Sequence, residues 1–127
     1  MNIEKVVFAF FVVLAATLNF GFVYGDIDDA AHHEVFELFF AVVVNMITAV
    51  LKFGDRTHIG AVHLATSLVA VLQLIAASIV WAYATNLSTH GVDAKTISSI
   101  VSLSAGALLA NLVSITLLVA ETVQQRR

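Results

Sequence analysis

Glu34, Glu37, Ala41, Asn45, Thr48 and Lys52 follow one another at steps of 3, 4, 4, 3 and 4 residues. A helix through them carries all six on one face. That face runs from carboxylates through an amide and a hydroxyl to an ammonium group. Such a row can pass a cation between oxygen ligands, or it can hydrogen-bond to polar neighbours. His63, Thr66, Ala70, Gln73 and Ala77 repeat the pattern at steps of 3, 4, 3 and 4. Ser104, Ala107, Asn111, Ser114 and Glu121 form a third polar stripe, and Asn19 adds an amide in the first apolar run. Asn45, Gln73 and Asn111 are expected near mid-depth of the membrane, with Asn45 and Gln73 facing the same protein interior or subunit axis and Asn19 nearer the outside. A second cluster is "DIDDAAHHEVFE", with five acids and two histidines in twelve residues. His33 and Glu37 lie one helical turn apart. Carboxylate and imidazole together suit a divalent metal. A solvated acidic loop that caps the next helix and concentrates cations is the other reading.

The elements that hold these residues follow from composition. The chain has 127 residues, 60% hydrophobic and 12% charged. Soluble domains carry about 25% charged residues. Here the charge gathers between apolar runs of the roughly 20 residues that cross a bilayer. The sequence predicts helices over about 3–24, 33–53, 58–84 and 96–121. This is an all-α integral membrane four-helix bundle, a single transmembrane domain over 1–127. Residues 3–24 are read as a retained span rather than a removed leader. The absence of cysteine rules out disulfides and thiolate chemistry. A net charge of −3 with no basic block gives no footing for nucleic acid.

Basic residues near membrane ends favour the cytoplasmic side. Lys5, Lys52, Arg56, Arg126 and Arg127 fall on one side and Lys95 alone on the other. Both termini are therefore expected inside. The connection "KFGDRTH" reads as a tight helical hairpin, with Gly54 ending one helix and Asp55 or Thr57 capping the next. Ser98, Ser102, Gly106, Ala110 and Ser114 stand four residues apart. Small residues at that spacing let helices approach closely, within a subunit or between subunits. A homo-oligomer is expected. Glu121 is expected to pair with Lys52 or Lys5.

Three resemblances attach to quoted residues. Gly21, Tyr24, Gly25 and Asp26, in "TLNFGFVYGD", resemble the end of a potassium-channel filter, whose pattern is Thr-Val-Gly-Tyr-Gly-Asp. Val23 stands where that pattern has its first glycine, so the stretch is read as the end of the first helix. The Gly-Asp-Arg turn at 54–56 resembles a loop of sugar-type transporters over three residues. "AHHEVFELF" and "LKFGDRT", with "TLNFGFVYGD" before them, resemble a small family of bacterial integral membrane proteins of unknown function. That last resemblance implies four membrane segments and supplies no activity.

The expected function is a small oligomeric membrane protein giving an ion pathway, for a cation, along Glu37, Asn45, Thr48, His63, Thr66, Gln73 and Asn111. The alternative is a non-transporting structural or regulatory subunit of a larger membrane complex. No enzyme and no cofactor are expected: no Ser/His/Asp set or paired carboxylates fall inside the spans. The partners expected are the lipid bilayer, further copies of the chain and a cation. The location expected is the bacterial inner membrane, multi-pass.

Overall fold

The computed structural model describes residues 3–25, 29, 33, 35–89 and 91–125. Four helices follow in order: α1 Ile3–Val23, α2 Val35–Lys52, α3 His58–Asn86 and α4 Ala94–Gln125. All four are long and apolar enough to cross a membrane. The chain is an all-helical, multi-pass membrane protein. α1 packs on α2 and α4, and α3 packs on α2 and α4, so the helices close a ring with neighbours antiparallel.

Local chemistry fixes the helix ends. α1 stops where Gly25 takes φ 104°, a left-handed value that favours glycine. Gly54 does the same at φ 92° in the α2–α3 turn. Thr57 then caps α3, its hydroxyl accepting from the Gly60 amide at 3.0 Å. Asp55 does not cap the helix. Its carboxylate instead accepts from the Thr57 amide and hydroxyl, at 2.9 and 2.7 Å. α4 begins two residues earlier than expected, because Asp93 accepts from the Thr96 amide at 2.8 Å and so fixes the first turn.

The interior has two layers. Towards the α3–α4 turn it is apolar, built from Phe22, Leu38, Leu74, Ala77, Ile97 and Ile100. Towards the α2–α3 turn it is mixed, with polar Asn19, Asn45, Thr48, His63, Ser67, Asn111 and Ser114 buried beside Phe8, Val12 and Ala15 of α1. The outward faces are apolar: Phe10, Phe20, Phe36, Phe40, Val50 and Leu72 are exposed. Large apolar side chains outside and small or polar ones between helices is the arrangement that lipid favours.

Candidate functional site

α2 buries Leu38, Ala41, Val44, Asn45 and Thr48 and turns its phenylalanines outward. The Asn45–Thr48 part of its polar face therefore lies inside the bundle. The Asn45 amide donates to the Ala41 carbonyl of its own helix at 2.7 Å. The Asn45 Oδ1 accepts from Asn111 Nδ2 at 2.8 Å, and Asn111 Oδ1 accepts from Asn19 Nδ2 at 2.7 Å. Three amides thus form one hydrogen-bonded chain across α1, α4 and α2. Asn111 is its centre, both donor and acceptor. Asn19 lies level with Asn111 rather than nearer the surface. Its own Oδ1 is buried with no hydrogen-bond partner among the described residues.

Gln73 does not join the chain. The buried line of α3 runs through His63, Ser67, Ala70, Leu74 and Ala77, one position away from Gln73. The Gln73 carboxamide lies instead against Gly106 of α4, where a methyl on the glycine would overlap it. This corrects the expectation that Asn45 and Gln73 face a common interior. It also places the small-residue ridge. Gly106 meets α3 of the same subunit, Ala110 and Ser114 are buried, Ser98 is half-buried and bonds within α4, and Ser102 is exposed.

Nearer the α2–α3 turn, His63, Thr66 and Ser114 form a second cluster. Thr66 Oγ1 donates to the His63 carbonyl at 3.0 Å. Its one proton is then used, so at 3.1 Å the Ser114 hydroxyl donates to Thr66. That leaves His63 Nδ1 as the donor to Ser114 Oγ at 2.8 Å. Hydrogen-bond counting thereby assigns the proton of neutral His63 to Nδ1 and leaves Nε2 as a bare lone pair. Nε2 is buried and has no hydrogen-bond partner among the described residues. The Phe8 ring meets His63 edge-on at 4.9 Å, and Lys52 Nζ lies 4.3 Å from the centre of that same ring. Thr48 is fully buried with its hydroxyl bonded to the Asn45 carbonyl at 2.7 Å. Ser104 Oγ is a third buried oxygen or nitrogen without a partner among the described residues.

At the basic end, Glu121 pairs with Lys5 at 3.2 Å. Lys52 pairs with Asp55 at 3.7 Å. Hydrogen bonds from the Thr57 backbone and then its hydroxyl hold the Asp55 carboxyl below the usual carboxylate range, with the Lys52 charge adding to them.

The acidic connection is described only in part. Asp26, Asp28, His32 and Glu34 lie outside the described residues. His33 is buried, and its Nδ1 donates to the Phe22 carbonyl at 2.5 Å. The Glu37 carboxylate lies against Gly21 of α1, in a notch that a methyl group would fill. No group of three or more His, Asp or Glu side chains among the described residues could hold a metal ion. Gly21, Tyr24 and Gly25 of the filter-like stretch sit at a helix end, and Asp26 lies outside the described residues. α1 is continuous through Gly21 to Val23, and the Tyr24 amide bonds back to the Phe20 carbonyl at 3.0 Å. Gly21 to Val23 are helical, and helical backbone does not present the stacked rings of carbonyls that a filter uses.

Sequence reasoning missed the bridging role of Asn19. A signal was present: Phe8, Val12, Ala15, Asn19 and Phe22 recur at steps of 4, 3, 4 and 3. All five are buried. In a helix apolar all round, that line does not stand out from the others.

Residues 32–122 match a family described as a family of unknown function (DUF6394), over more than two thirds of the chain. No curated protein and no solved structure matches the chain.

Proposed function

The chain belongs to that family, and because the family brings no activity with it, we propose from the geometry alone that this is a proton-linked transport protein of the bacterial inner membrane. The path lies inside each four-helix unit, with both termini cytoplasmic. The observation that carries this reading is His63. A buried histidine in a membrane span is costly and marks a functional site by default. Hydrogen-bond counting makes one ring nitrogen a donor and leaves on the other a lone pair with no partner among the described residues. That nitrogen is the atom that takes up the proton. Thr66 and Ser114 orient the ring, and Lys52 stands behind the Phe8 ring towards the basic end.

The geometry argues against a permanently open pore. The amide chain spans the interior, and the apolar layer of Phe22, Leu38, Leu74 and Ile100 fills it beyond. Interhelical hydrogen bonds in membranes average about 0.6 kcal/mol each. Parting the two that meet at Asn111 therefore costs on the order of 1 kcal/mol, which thermal motion supplies readily. The apolar layer is the larger barrier, so transport requires the helices to shift. Polarity on one side and closure on the other is what a gated carrier needs.

The test is proton uptake into liposomes holding the purified protein and a trapped pH dye, driven by an imposed potential. Wild-type protein is expected to acidify the lumen above the protein-free background. His63→Asn keeps a donor near the Nδ1 position but binds no proton, so it should return uptake to background while the protein remains folded. Wild-type uptake at background, or full uptake by His63→Asn, refutes the reading.

A second reading draws on the amide chain. Direct bonds joining α1, α4 and α2 are also what a rigid, non-transporting subunit would use to hold its shape inside a larger complex. Absence of wild-type flux, together with co-purification of a defined membrane partner, would favour it.

A further inference from the structure

A cavity of about 680 Å³ opens between the start of α1 and the end of α2. Lys52 and Asp55 on its wall, at the ends of spanning helices, set it at the membrane surface within reach of water. Phe8 is 1% exposed and the Lys52 side chain 14%, so these two form its inner end. Lys52 Nζ lies 4.3 Å from the centre of the Phe8 ring, and Asp55 pairs with that ammonium group. The same ring meets His63 at 4.9 Å. His63 is itself buried and does not line the cavity. One aromatic ring therefore stands where the cavity would otherwise reach His63.

We propose that this cavity is the port through which protons reach His63 Nε2, and that the Phe8 ring closes it. The inference rests on the proton-linked reading above and names the regulation of the same site. A phenyl ring has no group that can relay a proton, so it must swing aside before water meets Nε2. The cavity supplies the room, since an apolar hollow of about 150 Å³ already holds a benzene ring. Water then fills the space that the ring has left. A hydronium ion gives its proton to Nε2 and departs as water, while Nδ1 keeps its own proton on Ser114. Lys52 favours the closed state, because an ammonium group is attracted to an aromatic face. Proton uptake places a second positive charge beside the same ring, and its repulsion of Lys52 weakens that hold. Lys52 and Lys5 are each paired with a carboxylate, Asp55 and Glu121, which offsets their repulsion of an incoming proton.

The experiment is carbethoxylation of the full chain in detergent by diethyl pyrocarbonate, read by mass spectrometry at each histidine. The reagent acylates an unprotonated imidazole nitrogen that it can reach, and it needs no transport. His58, exposed at the start of α3, reports reagent access in the same molecules. In wild-type protein His63 should react far more slowly than His58. Phe8→Ala should raise the His63 rate by about tenfold or more, because the ring's packing and its cation contact are both lost. Lys52→Met should raise it by about threefold, through the cation contact alone. Phe22→Ala removes an equally buried ring from the apolar layer and should leave the His63 rate low, which separates opening of the port from general loosening. Val7→Trp, from the cavity wall, should return Phe8→Ala to slow reaction. An unchanged His63 rate in Phe8→Ala overturns the proposal. So does an equal rise in Phe22→Ala, or fast reaction that persists once Val7→Trp is added. Fast labelling of Phe8→Ala without wild-type proton uptake in liposomes would refute transport and keep Phe8 as the closure of the cavity. Proton uptake without that labelling would refute the port alone.

Discussion

Replacing Asn111 by valine, an apolar residue close to it in volume, removes both bonds of the amide chain at once. The two interhelical bonds are worth about 0.6 kcal/mol each on average. Their loss also strands Asn19 Nδ2 and Asn45 Oδ1 in a dry interior, and each stranded group costs about 1–3 kcal/mol. Asn111→Val should therefore destabilise the fold by roughly 3–7 kcal/mol. Asn45→Val breaks one bond and strands one atom, for about 2–4 kcal/mol. Asn19→Val also breaks one bond, but it removes the unpartnered Asn19 Oδ1 as well, so its cost should be smallest. The sharper expectation concerns the triple variant. Removing all partners of a polar network together can be nearly neutral, whereas removing its centre is not. The triple valine protein should be more stable than Asn111→Val alone. Reversible unfolding in bicelles, followed by steric trapping of a tagged α1–α4 pair, measures all four values. A triple variant whose loss equals the sum of the three single losses would show that the amides act independently, and the chain would then have no energetic meaning.

Reporter fusions within 54–57 and after the last residue should read cytoplasmic and those near Gly91 periplasmic, because Lys5, Lys52 and Arg56 gather at one end; a periplasmic C-terminus would reverse the proposed orientation. Gly21→Ala should displace the Glu37 side chain and Gly106→Leu should part α3 from α4, the second costing more because leucine reaches beyond the movable Gln73 end into the helix contact; native mass should stay constant in Gly106→Leu while thermal stability falls, and a lower native mass would assign the ridge to a subunit interface. Asp55 has its folded pKa lowered by the Thr57 hydrogen bonds, so its contribution to stability is full above the unfolded value of about 4 and is lost as pH falls through the folded value; Asp55→Asn should flatten melting temperature against pH in that acid window, and an unchanged slope would place the acid sensitivity elsewhere.

What the sequence determined alone is the class of the molecule. Four apolar runs of spanning length, separated by short polar connections, admit only helices in a bilayer, since every backbone group must be satisfied within its own segment. The inward direction of α2 was also legible, because its polar line through Asn45 and Thr48 stands opposite a line of phenylalanines. α1 offered no such contrast, and the placement of Asn19 escaped there. What only the tertiary structure decided is partnership. Helical period tells which residues share a face, but it is silent on how far one helix slides or turns against another. A rotation of one residue on α3 was enough to send Gln73 to Gly106 and to bring His63 to Ser114. The vertical offset of α4 then set Asn111 between Asn19 and Asn45. Those offsets arise from packing small residues of one helix against the side chains of the next, and that fit exists only once all four helices are together.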